Sequence, residues 1–382
     1  MKYLLRHKNI DVAELELETG GFVVKALDVL DEAHYPYGVD MDGKALRLWW
    51  TQRIVPASRD GISACLREHG IQGVHELALE SLGLNLSDQY WVISKEKQKL
   101  AWEDVNFFDN DFFEEKERLR FGPRIGGGIK ELSLPDRSTG GQRPKRWTIE
   151  NGGRYLIKAG VEPVFMEAYN EKIGSLIGKL LGINSVKYEV VTENGFPASK
   201  CACFVDRNTE LIHAADIILP SGPEGHYGKN AYEHCVKSFS DACVPDARRK
   251  IDEMIVFDFL ITNVDRHAFN FGMIRDANTL TPISFAPLYD HERSMWHIYS
   301  GQNCHTFCET HEEQIMLVDD FSWYDPRALN SASDEICNII EANNYRNIEQ
   351  SKKEIRAFEE RVKRLNRIAY STHIAGRTPL KS

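Results

Sequence analysis

The chain has 382 residues, 42% apolar and 27% charged, the composition of a soluble globular protein long enough for two or three structural units. Its 57 acidic residues outnumber 47 basic ones, and the formal charge of −10 argues against a general binder of nucleic acid or anionic membrane. No apolar run approaches the roughly 20 residues of a bilayer span, and the opening MKYLLRHKNIDVAELELE returns to charge too soon for a signal-peptide core, so a cytoplasmic location is expected.

Eight cysteines are scattered along the chain and form no disulfide framework; the cytosol would keep them reduced. His297, Cys304, His305, Cys308 and His311 crowd together and are residue types that zinc favours. Their spacing matches no recognised finger or ribbon, so no metal site is assigned there.

In chain order, residues 1–118 come first and are rich in aromatics, among them Trp49, Trp50, Tyr90, Trp91, Trp102, Phe107 and Phe108. These are read as core packing, with amphipathic helices near 58–69 and 74–82. A stretch dense in Gly, Pro and charge follows, RFGPRIGGGIKELSLPDRSTGGQRPKRW, and is expected to be a loop. WTIE and RYLIKA then have the alternation of strands. Over 166–181, Ile173, Leu176, Ile177, Leu180 and Leu181 recur at helical spacing, with Gly182 as a stop. VKYEVVT and KCACFVD read as strands around a turn at Asn194-Gly195. Beyond about 208 the pattern is mainly helical, near 229–243, 246–263, 333–343 and 349–370, interrupted by a strand hairpin at 271–290. The expected class is α+β.

The segment DFLITNVDRHAFNFGMIRDANTLTPISFAPLYD carries the chemistry. Asp265 is followed five residues later by Asn270, and twenty residues beyond that by Asp290. A hairpin of FGMI and ISFAPLYD, turning at RDANT, would return Asp290 beside Asn270. Phosphoryl transfer needs such a set: a carboxylate to orient or deprotonate the attacking hydroxyl, and oxygen ligands for Mg²⁺. It also needs a cation on the nucleotide phosphates, usually held by a helix carboxylate. Lys158 ends the strand RYLIKA and Glu171 lies thirteen residues on, in the predicted helix, with Glu167 as the alternative partner.

NVDRHAFNFG followed by APLYD resembles the signature of the HipA-type bacterial protein Ser/Thr kinases. That resemblance implies a two-lobed protein-kinase-like fold, with an N-terminal α/β extension (1–118), a β-rich small lobe carrying the phosphate loop (119–206) and a mainly helical catalytic lobe (207–382). It implies Asp265 as the catalytic residue and Asn270 and Asp290 as Mg²⁺ ligands. His267 matches a family position near the nucleotide phosphates; a buried, hydrogen-bonded histidine is the other reading. Arg266 is expected to be structural. The stretch STGGQRPKRW resembles the family's phosphate-covering loop, which makes Thr139, Gly140, Gly141 and Gln142 ATP-binding candidates, with Lys145 nearby and Ser138 or Thr139 as a phosphosite. Gly126-Gly127-Gly128 is the competing loop. Backbone groups of Cys203, Phe204 and Val205 would meet adenine at the hinge. HYPYGV, LWWTQRIVPASR, LGLNLSDQYW and WEDVNFF resemble the N-terminal extension of a HipA-like subgroup.

The implied activity is transfer of the ATP γ-phosphate to a protein Ser/Thr hydroxyl, with ATP and Mg²⁺ required. The implied partners are a protein substrate and an antitoxin, with no direct nucleic-acid binding and no membrane. Two alternatives stay open: a small-molecule or lipid kinase on the same fold, since DRH-x-x-N also resembles phosphoinositide-kinase loops, and a pseudokinase binding module.

Overall fold

The computed structural model describes residues 2–18, 23–40, 43–59, 62–68, 70–94, 99–112, 135, 143–218, 227–295 and 306–376. Ser138, Thr139, Gly140, Gly141 and Gln142, the triple glycine at 126–128, and His297, Cys304 and His305 lie outside the described residues. The chain is mixed α/β, and its described residues form three antiparallel sheets and a predominantly helical C-terminal portion.

The first sheet contains β1 (Lys2–His7), β2 (Ile10–Leu17), β3 (Val23–Val29) and, after helices α1 (Gly43–Gln52), α2 (Ile62–Glu68) and α3 (Val74–Glu80), β4 (Tyr90–Ser94). Its order is β3-β2-β1-β4. The short helix α4 (Trp102–Val105) follows. The two helices read from sequence are present within a few residues of the expected bounds, whereas the sheet was not read from sequence. The aromatics pack as expected: Trp50, Tyr90, Trp91, Trp102 and Phe107 are all buried.

The second sheet has β5 (Lys145–Glu150), β6 (Gly153–Ala159), β7 (Tyr188–Glu193) and β8 (Phe196–Ala202) in the order β5-β6-β8-β7. Between its two hairpins runs α5 (Met166–Leu181), over the span its apolar stripe predicts. Gly182 ends it at φ +67°, a left-handed conformation in which glycine has no Cβ penalty. Ile173 and Ile177 are fully buried in the main core.

β8 stops at Ala202, short of the expected KCACFVD strand. Asp206 causes the break: its Oδ1 accepts from the Asn208 N–H and the Thr209 hydroxyl, which turns the chain. The next residues form β9 (Thr209–His213) rather than a helix. β9 joins the hairpin of β10 (Gly272–Asp276) and β11 (Pro282–Phe285) in a sheet ordered β11-β10-β9.

The other described helices are α6 (Ala214–Ile218), α7 (Lys229–Asp241), α8 (Ala247–Ile261), α9 (His311–Ile315), α10 (Ala332–Glu341) and α11 (Ile348–Gly376), with a 3-10 turn at Pro326–Leu329. α8 is buried almost all round from Ile251 onward, which marks it as the central core helix. No described helix is long and apolar enough to cross a membrane.

Candidate functional site

The site forms where β6, α5, the β11-following loop and the α8-following loop meet. Lys158 lies near the end of β6, and its Nζ stands 2.7 Å from Glu171 Oε1 and 2.6 Å from Asp290 Oδ1. Lys158 thus meets Glu171, the first of its two candidate partners, while Glu167 accepts from the Val161 N–H at 2.9 Å. Glu171 is fully buried, and its second oxygen accepts from the His291 N–H at 2.7 Å. That bond ties α5 to the residue after Asp290. Gly174 makes the approach feasible, because a Cβ there would lie 2.5 Å from His291 Cδ2. Asp290 itself adopts φ +62°, a backbone state rare outside glycine and concentrated at functional sites.

The electrostatics follow from burial against pairing. Burial works against the Lys158 charge, but Asp290 and Glu171 outweigh it and hold its pKa well above the usual lysine value. Burial would also raise Asp290, yet Lys158 and Lys145 hold its carboxyl well below the ordinary range. Burial pushes Glu171 up to about 7 against the pull of Lys158. Lys145, directly opposite Lys158 across the β5–β6 pair, is pushed down to about 8 by burial and by the neighbouring Lys158 charge.

Asp265 and Asn270 sit on the loop after α8. The Asn270 Nδ2 donates to the Asp265 carbonyl at 2.8 Å, which leaves Oδ1 as the acceptor end of that amide. The Asp265 N–H donates to Asn263 Oδ1, and Arg293 Nη1 reaches Asp265 Oδ1 at 3.1 Å. Arg266 joins this loop to the Asp290 segment after β11. Its guanidinium grips both oxygens of Asp258 at 2.9 and 3.0 Å and donates to the Asn270 and Tyr289 carbonyls at 2.7 and 2.6 Å. One nitrogen thus ties the backbones of Asn270 and of the residue preceding Asp290. Arg266 is structural, as the sequence reading has it.

His267 is exposed, so its reading as a buried histidine is not met; its ring Nδ1 accepts from the Phe269 N–H at 3.3 Å. The three hinge candidates separate. Phe204 stacks on Tyr289, with ring centroids 5.5 Å apart. Cys203 spends its N–H on the Arg154 carbonyl. Cys203 and Val205 line a cavity of about 300 Å³ with Phe108, Gly152, Arg154 and Arg207, which contains none of Lys158, Asp265 or Asp290.

Four contributors escaped sequence reading: Asp258, Arg143, Glu292 and Arg293. Asp258 had a signal, a lone carboxylate in the apolar run IVFDFLI. Among the described residues, Glu171, Asp290 and Glu292 bring carboxylate oxygens within 4.8 Å of one another.

A strand lysine is thus clasped by a helix glutamate and by an aspartate beyond a β-hairpin, beside a loop bearing Asp and Asn. The sequence profile of the HipA-like C-terminal domain matches residues 137–361, more than half of the chain. The chain belongs to the HipA-like family. The HipA of Shewanella oneidensis MR-1, solved with HipB and its operator DNA, is similar at 14% identity and TM-score 0.55, covering 96% of each chain. The proinflammatory kinase CtkA of Helicobacter pylori is similar at 14% identity and TM-score 0.46, over 60% of this chain and 94% of that one. No curated protein matches.

Proposed function

We propose that this chain is an ATP- and Mg²⁺-dependent protein Ser/Thr kinase of HipA type, working as the toxin of a toxin–antitoxin pair. In this reading residues 119–206 are the small lobe, 207–382 the catalytic lobe and 1–118 an extension. The observation that carries it is the double ion pair of Lys158, at 2.7 Å from Glu171 and 2.6 Å from Asp290. A phosphate-binding cation needs to be fixed in place beside a metal-binding carboxylate, and that pairing supplies both.

The donor set fits magnesium. Asp290 keeps its negative charge and Asn270 offers an amide oxygen, both hard ligands of the type Mg²⁺ takes alongside substrate phosphates. Asn270 and Asp290 would hold the ion, which when bound neutralises charge on the phosphates. The remaining work falls to protein groups. Asp265, oriented by Arg293 and Asn263, accepts the proton of the substrate hydroxyl as its oxygen attacks the γ-phosphorus. The bond to the β–γ bridging oxygen breaks and ADP leaves. Lys158 supplies positive charge to the phosphates, and Glu171 keeps its position. His267, exposed beside Asp265, would contact the phosphates; the candidates for covering them are Ser138, Thr139, Gly140, Gly141 and Gln142, on the resemblance of their sequence to the family's phosphate-covering loop. Backbone groups at 203–205 would meet the adenine edge, save the Cys203 N–H, which the Arg154 carbonyl takes.

The antitoxin assignment is supported by the Shewanella protein's presence in a complex with HipB and operator DNA. The acidic balance of this chain favours contact with a partner protein over direct DNA binding.

Incubation with labelled ATP and Mg²⁺ is the test. Autophosphorylation, or labelling of a protein in lysate, is expected in the wild type and is lost in Asp265→Ala at unchanged thermal stability. A wild-type chain that binds no nucleotide overturns the assignment.

A further inference from the structure

Beside the Lys158 cluster sits a second cation that the reading above does not use. Arg143 Nε lies 3.1 Å from Glu292 Oε1, and its Nη1 lies 2.8 Å from Glu167 Oε1. Glu167 is fixed in turn by the Val161 N–H, so the guanidinium is strapped between α5 and the residue two past Asp290. The other oxygen of Glu292 is 3.9 Å from Lys158 Nζ. Lys158 already holds two carboxylates at hydrogen-bond distance, and Glu292 is a third within reach.

We propose that Arg143 is a positioning residue that holds Glu292 aside and so keeps Lys158 available to the nucleotide phosphates. This rests on Lys158 being the phosphate-binding cation. The physical reason is competition for charge. A mostly buried carboxylate without a cation is costly, and Lys158, 3.9 Å away, is already within ion-pair distance of an abandoned Glu292. A third carboxylate on that ammonium would oppose an incoming triphosphate twice, by occupying the cation and by adding negative charge beside it. Bridging two carboxylates at once needs the planar fork of arginine, which a lysine ammonium does not reproduce. The arrangement also crosses the site: one arginine joins the strand entry at 143 to α5 and to the Asp290 segment.

The test is calorimetric titration of ATP with Mg²⁺ into the full chain. Arg143→Ala is expected to bind ATP about ten-fold more weakly than wild type. Adding Glu292→Gln to that variant is expected to restore affinity to within about three-fold of wild type, a rescue that loss of a merely structural arginine would not give. Glu292→Gln alone is expected to bind at least as tightly as wild type. Wild-type affinity in Arg143→Ala overturns the inference, as does a double variant as weak as the single one. Should Arg143→Ala not fold, Glu292→Gln decides: binding about ten-fold weaker than wild type makes Glu292 part of the ligand site and overturns the inference. A wild type that binds no ATP overturns the phosphate-binding reading of Lys158, and the inference with it. Wild-type binding that is indifferent to Arg143 sinks the inference alone.

Discussion

Lys158 Nζ stands 2.6 Å from Asp290 Oδ1 across 132 residues of chain. The same ammonium is the cation on fully buried Glu171, so it compensates two carboxylates drawn from α5 and from the loop after β11. Removing one member of a buried ion pair leaves the other uncompensated, at about 3–5 kcal/mol. Lys158→Met is therefore expected to lower the thermal midpoint as well as to remove nucleotide binding. Pairing it with Glu171→Gln should recover part of the stability and none of the binding. An unchanged midpoint in Lys158→Met would show that Glu171 has no need of this cation.

Arg266 and Asp258 make the deepest ion pair of the site, with side chains 0% and 1% exposed. The pair is bidentate, and the same guanidinium serves two backbone carbonyls, so lysine cannot substitute for it. Arg266→Lys and Asp258→Asn are both expected to destabilise the fold, by about 3 kcal/mol or more. Urea unfolding checks this. A midpoint in Arg266→Lys within error of wild type would rule out the hub role.

Much of this site was legible before any coordinates. Lys158 and Glu171 are legible as a pair from strand and helix placement, and Asp290 from the hairpin that returns it towards Asn270, because local spacing fixes which residues end each element; the Lys158–Asp290 contact that joins the two sets is not. Asp265 and Asn270 were read from a five-residue spacing within one loop, and the structure ties them together by a side-chain bond. What escaped depends on contacts distant in sequence. Glu292 meets Arg143 across 149 positions, and no local pattern marks either one. The N-terminal sheet escaped for another reason: β1 and β2 carry Lys, Arg, Asp and Glu between their apolar residues, and the aromatics drew attention to the helices instead. Asp206 cut the hinge strand short because a side-chain turn competes with the ladder, which a run of β-prone residues does not reveal.

Asp216, on α6, gives a stability dependence between mildly acidic and neutral pH. Burial raises its carboxyl to about 7, Asp88 adds to the rise and Arg53 opposes it. A carboxyl with a raised folded-state pKa contributes stability at low pH that is lost as pH rises through about 7. The wild type is therefore expected to lose thermal stability between pH 5 and pH 8, and Asp216→Asn to lose less over the same interval. The two proteins should converge only towards pH 4, near the ordinary carboxyl value of 3.8. Parallel curves across that range would mean that Asp216 is charged at no cost in the folded state.

Glu210 couples the N-terminal sheet to the β10 hairpin and gives the opposite sign. Its two oxygens meet His7 Nε2 at 3.1 Å and Arg275 Nε at 2.5 Å, and Arg275 also donates to the Tyr90 hydroxyl at 3.0 Å. Burial would raise its carboxyl, but the His7 and Arg275 bonds outweigh that and lower it. Such a group stabilises above its unfolded pKa, and the contribution fades as pH falls through the folded one. Glu210→Gln leaves the Arg275 charge buried without its partner, at about 3–5 kcal/mol near neutral pH. The loss should appear as a lower unfolding midpoint at pH 7, and the gap to wild type should narrow below pH 4. If the N-terminal sheet were held instead by its apolar face alone, Glu210→Gln would unfold with the wild type at every pH. Limited proteolysis at pH 7 separates the two cases, because an undocked sheet is cut within residues 1–118 before the helices of the C-terminal portion are touched.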